Sequence, residues 1–211
     1  MRISEKDTLL FIGDSITDAG RDRTRSASLG SGYVQEIAQT LRARAGAGPG
    51  PAVINQGLNG NRVYDLESRW TTDVIDHRPT IVTVAIGIND TWRRYDQGLI
   101  SPVNEFEACL DRLLAVTART LSARLVVITP FLLPVTSGQR DWYEDLSPRI
   151  DAVLRAASAN EAQVIRADLA LLRATEERGA AELAPDGVHP SPLGHRLIAD
   201  AWLAAVDSVR P

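Results

Sequence analysis

Four short stretches of the chain carry residues that could do chemistry together. The first is Gly13-Asp14-Ser15, directly after the apolar run Leu9-Leu10-Phe11-Ile12. A run of that length ending in a glycine turn reads as a buried strand feeding a loop. In open α/β sheets, ligands gather at that carboxyl end of the strands. A serine there is a poor nucleophile at its free pKa and needs a base, best a histidine. His189 offers one, and Asp186, three residues earlier, has the spacing to fix the imidazole tautomer and stabilise the imidazolium. A tetrahedral intermediate also needs donors for its oxyanion, such as a backbone N–H at a glycine and a side-chain amide. Gly57 and Asn89 fit those roles, with the Ser15 N–H as a third donor. The reaction these groups would perform together is acyl transfer.

The elements around them must bring four distant stretches to one place. Strand-like and helix-like segments alternate to the end of the chain. Tyr33, Val34, Ile37, Ala38 and Leu41 recur at helical spacing, and Ala52-Val53-Ile54-Asn55 reads as a second strand. Residues 63–77 predict a helix, and 80–86, β-branched and apolar on both faces, predict a strand of a parallel sheet. Ser101-Pro102 is expected to open the next helix, serine as N-cap and proline at the first helical position. Its stripe holds Val103, Phe106, Leu110, Leu113, Leu114 and Thr117, with Cys109 in the core. Strands at 124–129 and 163–167 follow, with a helix at 141–158 burying Trp142, Leu146, Ile150, Val153 and Leu154 between them. A last helix starts at Ser191-Pro192 and carries Leu193, Leu197, Ala201, Ala205 and Val209. Five strands alternating with helices imply a parallel, doubly wound sheet in a three-layer sandwich. The polar stretches 55–62 and 87–94 then become loops on the same sheet edge as Ser15. The 186–191 stretch, before the last helix, folds over that edge.

Length and composition bound the rest. The 211 residues fit one domain, 1–211, and the Gly-Pro stretch 46–51 reads as a loop within it. A net charge of −4 gives no basic surplus to neutralise phosphates, so no nucleic-acid partner is expected. Cys109 is the only cysteine, which excludes an intrachain disulfide. The N-terminus lacks the apolar core of a signal peptide, and no apolar run approaches the roughly 18 residues of a membrane span. A cytoplasmic protein with no membrane span is the expectation; the oligomeric state is left open.

Each block alone has an ordinary explanation. Ser15 reads equally as a helix N-cap, Asn89 as a turn residue, and Gly57 as a glycine required by its backbone. Asp14 reads as a group bonding the turn, and His195 as a packing residue of the last helix. Asp186, His189 and His195 lie too close in sequence, with no supporting carboxylate, to read as a metal set.

Taken in order, Gly13-Asp14-Ser15, Gly57 after an asparagine, Gly87-x-Asn89-Asp90 and Asp186-x-x-His189 resemble the four signature blocks of the SGNH hydrolases, also called GDSL esterases/lipases. The resemblance spans residues 11 to 195. It implies Ser15 as nucleophile, His189 as base and Asp186 as its orienter, with Ser15, Gly57 and Asn89 forming the oxyanion hole. It also implies a flavodoxin-like sheet of strand order 2-1-3-4-5, with no metal and no organic cofactor. The expected substrate is a small-molecule ester. No long greasy insertion forms a lid, and Asp14, Arg62, Trp92, Arg93 and Trp142 are the candidate substrate contacts. Polar and aromatic groups suit stacking on a sugar, so short acyl esters, acetyl foremost, of a carbohydrate or small alcohol are expected. The alternatives are a lysophospholipase or thioesterase of the same family, or a non-catalytic module holding a nucleotide or sugar. Against the module, no G-x-G-x-x-G pattern follows the first strand.

Overall fold

The alternation of side chains along the strands decides the architecture. In the computed structural model, which describes residues 3–207 of the 211, β1 (Thr8–Gly13) sends Leu9 and Phe11 to one face and Leu10 and Ile12 to the other. Both faces are apolar, so both must be covered. A single helical turn, α1 (Ser15–Asp18), follows β1, and then α2 (Tyr33–Ala45). The chain continues through β2 (Ala52–Gly57), α3 (Val63–Trp70), β3 (Ile81–Ala85), α4 (Ile88–Gln97), α5 (Val103–Thr120) and β4 (Arg124–Ile128). It ends with α6 (Tyr143–Ala159), β5 (Gln163–Ile165), α7 (Ala167–Arg178), α8 (Ala180–Leu183) and α9 (Pro192–Val206).

The five strands pair in parallel in the order β2-β1-β3-β4-β5, the expected doubly wound sheet. Gly13 pairs with Gly57 and with Ala85, so three strand ends that feed the predicted site lie side by side. Helices α2, α7 and α9 pack on the Leu9/Phe11 face, and α3 and α5 on the Leu10/Ile12 face. Thr83 is the one polar residue of β3, and it is fully buried because its hydroxyl accepts the indole N–H of Trp202 on α9 at 3.0 Å. Among the described residues no helix is long and apolar enough to cross a membrane.

Several local expectations are corrected. The helix expected over 63–77 ends at Trp70 and widens into a turn closed by the Asp76 N–H on the Thr71 carbonyl at 2.9 Å. Ser101 does not cap α5; Pro102 holds that position, and the Ser101 hydroxyl donates to Asp90 at 3.0 Å. The fifth strand stops at Ile165, because Ala167 already begins α7. Trp142 ends a tight 3-10 segment ahead of α6 instead of lying on that helix's buried stripe. Residues 88–94 form the start of α4, not a loop. Val209 lies outside the described residues.

Candidate active site

At the end of β1 the chain turns into α1, and Asp14, not Ser15, caps it. Its carboxylate accepts the Ile16 N–H at 3.0 Å. The serine hydroxyl is thereby left for other work. The Ser15 N–H, one of the orphan donors of a helix start, has no acceptor among the described residues. The Ser15 Oγ lies 3.0 Å from His189 Nε2, although 174 positions separate the two residues.

The Asp186–His189 turn is built as the spacing required. One Asp186 oxygen accepts the His189 and Val188 backbone N–H groups at 2.7 and 2.9 Å, and the other meets His189 Nδ1 at 2.6 Å. Burial raises the Asp186 pKa, yet the hydrogen bonds from the His189 ring and from the two N–H groups outweigh it and hold the carboxyl below its usual value. With an ionised Asp186 as acceptor, the neutral imidazole carries its proton on Nδ1. Nε2 is then the acceptor facing the Ser15 hydroxyl, which is the protonation state a general base needs. Gln139 anchors the turn from behind by donating to the Asp186 carbonyl at 2.6 Å.

Two of the expected contacts need correction. The Gly57 N–H donates to the Asn55 side chain at 2.8 Å, so it is not open to an oxyanion. Gly57 is glycine because its neighbour approaches closely: a Cβ would lie 2.2 Å from the Asp18 backbone nitrogen. Asn55 uses its amide to hold the Thr17 and Leu29 carbonyls at 2.7 and 2.8 Å, fixing α1 to β2. Asp14 is buried at 2% exposure and is out of a substrate's reach. Burial is the largest cause that lifts its pKa to about 7, with the Asp90 charge adding to it.

A candidate donor that the sequence reading did not single out is Gly60. A turn runs from Leu58 to Asn61, closed by the Asn61 N–H on the Leu58 carbonyl at 3.2 Å, with Gly60 at φ +82. That φ demands glycine, and the Gly60 N–H has no acceptor among the described residues. Asn89, on the first turn of α4, donates its amide to the Asn61 carbonyl at 3.1 Å, which ties the two candidate donors together. The Asn59-Gly60 dipeptide was the available signal, a turn pair of the kind that sets a glycine at positive φ.

Asp90 braces this arrangement from below. It is fully buried and accepts from Ser101 Oγ at 3.0 Å and from the Val63 N–H at 3.3 Å. Burial raises its pKa to about 6, moderated by the Arg149 charge. Arg149, itself fully buried, binds Asp145 at 2.8 Å and the Ser101 carbonyl at 2.9 Å.

The remaining candidates fall into two groups. Trp92 packs 5.7 Å from the His189 ring and 5.7 Å from Trp142, and Trp142 stacks on Tyr95 at 5.5 Å. Arg93 reaches the Gly60 turn, 3.4 Å from where a Cβ would stand there, and pairs with Asp96. Arg62 lies at the start of α3, over the Tyr64 ring at 5.8 Å. Beside Ser15 and His189 opens a cavity of about 390 Å³, lined also by Asp18, Ser31, Asn59 and His195. A larger hollow of about 810 Å³ lies by Arg124 and Gln163, at the amino ends of β4 and β5 and so on the opposite edge of the sheet. No group of three or more His, Cys, Asp or Glu is placed to hold a metal ion among the described residues.

Known proteins share this fold. A model of the GDSL-like Lipase/Acylhydrolase family matches residues 11–197. An acetylxylan esterase of Geobacillus stearothermophilus is 34% identical over 215 residues, covering 98% of this chain and 96% of its own. The crystal structure of an acetylxylan esterase from that organism superposes with a TM-score of 0.90 at 34% identity, over 99% of this chain and 98% of that one. An alpha/beta hydrolase enzyme from the metagenome of Lake Arreo, Spain, matches with a TM-score of 0.87 at 34% identity, over 96% and 95%.

Proposed function

Since the chain belongs to the GDSL-like lipase/acylhydrolase family of SGNH hydrolases, and is thus a carboxylic ester hydrolase, we propose that Ser15, His189 and Asp186 carry its reaction. The observation behind this reading is the continuous chain of contacts, 3.0 Å from Ser15 Oγ to His189 Nε2 and 2.6 Å from His189 Nδ1 to Asp186. Ser15 Oγ attacks the ester carbonyl carbon while its proton passes to His189 Nε2. The imidazolium is stabilised by Asp186, and the oxyanion is held by the N–H groups of Ser15 and Gly60 and by the Asn89 amide. Collapse of the intermediate breaks the ester C–O bond, and the departing alcohol takes the proton from His189. Water then gives a proton to the same imidazole as it attacks the acyl carbon; the acyl–Oγ bond breaks, the acid leaves, and His189 returns the proton to Ser15 Oγ. Each oxyanion donor contributes roughly 3–4 kcal/mol to such a barrier.

The substrate proposed is an acetyl ester of a carbohydrate, with acetylated xylose units the leading case. The likeness to an acetylxylan esterase over nearly the full length supports it. So does the cavity beside Ser15: at about 390 Å³ it far exceeds an acetyl group, and its lining mixes Asp18, Ser31 and Asn59 with Ala19, Pro190 and Pro192, which suits the hydroxyls and C–H faces of a sugar. Acyl-chain profiling with aryl esters, followed by assays on acetylated xylo-oligosaccharides, tests this reading. Acetyl is expected to be the preferred acyl group; a clear preference for octanoyl or longer esters would favour the lipid-directed alternatives instead.

A further inference from the structure

His195 lines the same cavity as the nucleophile and has a ring nitrogen with no partner among the described residues. It sits on the first turn of α9, 9% exposed, two turns of chain beyond the Asp186–His189 pair. Its Nδ1 accepts the backbone N–H of Tyr33 at 3.2 Å, the first residue of α2. An imidazole whose Nδ1 is an acceptor must, when neutral, carry its proton on Nε2. That Nε2 has no hydrogen-bond partner among the described residues, and it is not one of the sealed-off polar atoms of the core. The His195 ring lines the cavity of about 390 Å³, shared with Ser15 and His189, and that is the open space next to this nitrogen.

The ring cannot turn away. One face lies on the Tyr33 ring at 6.3 Å and 20°. Gly32 presses on its edge: a Cβ there would stand 2.8 Å from His195 Cε1. The ring also stays neutral. Burial pushes its pKa down to about 4, with a further push from the positive charge that His189 carries when protonated. His195 therefore cannot replace His189 as the base, and it keeps its single donor fixed throughout the cycle.

We infer that His195 is a substrate-binding residue whose Nε2–H donates a hydrogen bond to a hydroxyl or ring oxygen of the sugar that bears the acetyl group. The assignment rests on the carbohydrate reading given above. Asp18, Ser31 and Asn59 line the same cavity and add polar groups to a wall shared with Ala19, Pro190 and Pro192. A donor acting on the alcohol portion discriminates between esters of one acid and different alcohols, and leaves acyl transfer itself unchanged.

Two variants separate this role from a structural one. His195→Asn keeps an oxygen near the Nδ1 position for the Tyr33 N–H and removes the reach into the cavity. His195→Gln extends an amide into the cavity. The substrates are p-nitrophenyl acetate, which has no sugar, and an acetylated methyl xyloside. For His195→Asn, KM for the xyloside should rise about 3- to 10-fold, the worth of one hydrogen bond. Its kcat on the xyloside and its kcat/KM on p-nitrophenyl acetate should stay within about twofold, and His195→Gln should recover most of the KM. Equal losses on both substrates, or no change on either, would overturn the assignment. A wild-type enzyme that hydrolyses the xyloside no better than ethyl acetate would overturn the carbohydrate reading itself, and this assignment with it, by a different measurement.

Discussion

Replacing Asn89 by alanine isolates the oxyanion site from the nucleophile and its base. The amide of Asn89 has two N–H groups, and one donates to the Asn61 carbonyl at 3.1 Å. The other is the donor available to the oxyanion. Loss of one such donor costs a factor of about 10²–10³ in kcat, roughly 3–4 kcal/mol. In this protein the same substitution also releases Asn61, whose turn carries Gly60, so the second donor loses its fixed position. The expected loss therefore lies at the upper end, near 10³. KM should hardly move, because the charge that Asn89 stabilises exists only in the transition state. The fold should survive, since Asp90 keeps its contacts with Ser101 and Val63 at the start of α4. The assay is steady-state hydrolysis of p-nitrophenyl acetate, with circular dichroism to verify folding. A kcat loss under tenfold, or a raised KM at unchanged kcat, would refute the reasoning.

Three further outcomes follow from the same geometry. Asp186→Asn removes the ionised acceptor at His189 Nδ1 and should lower kcat by about 10²–10⁴ with little change in KM; a loss below tenfold would deny the carboxylate its orienting role. Folded-state pKa values of about 7 for Asp14 and about 6 for Asp90 stand above the ordinary 3.8. Between pH 4 and 7 the folded chain thus binds more protons than the unfolded one, so these two groups make stability fall as pH rises through that window. Asp14→Asn keeps the cap on Ile16 and removes its share of the slope, which urea midpoints at pH 5 and 8 would reveal; identical slopes in variant and wild type would contradict it. Arg149→Met leaves Asp145 buried and poorly compensated, at a cost of about 3 kcal/mol. For a chain of this size that lowers Tm by roughly 6–12 °C in calorimetry, and an unchanged Tm would show that the pair contributes nothing.

What the sequence made legible was what local pattern determines. Apolar runs covered on both faces led to the parallel sheet, and the resemblance of the four blocks implied its strand order. The Asp-x-x-His spacing led to a turn in which the carboxylate reaches the ring; its bonds to the Val188 and His189 N–H groups emerge only from the fold. The oxyanion side was less legible, because the identity of a donor depends on which N–H is left unpaired. Gly57 and Gly60 sit in the same polar stretch, and only the fold shows that Asn55 occupies the first and leaves the second open. Asp14 read both as a group bonding the turn and as a substrate contact, and its cap on Ile16 and its burial leave only the first. His195 looked like packing, and half of it is: one nitrogen holds Tyr33, while the other has no partner among the described residues. Ser101-Pro102 carries a strong capping signal, yet the buried Asp90 takes the serine hydroxyl, a tertiary contact that outweighs a local preference.

The account stands most directly on a covalent acyl group at Ser15. Wild-type enzyme mixed with p-nitrophenyl acetate and quenched in acid within the first turnovers should show one added acetyl group by intact mass. Peptide mapping should place that group on Ser15, and Ser15→Ala should show none. An acetyl group on another residue, or full turnover with no trapped adduct and retained activity in Ser15→Ala, would contradict it.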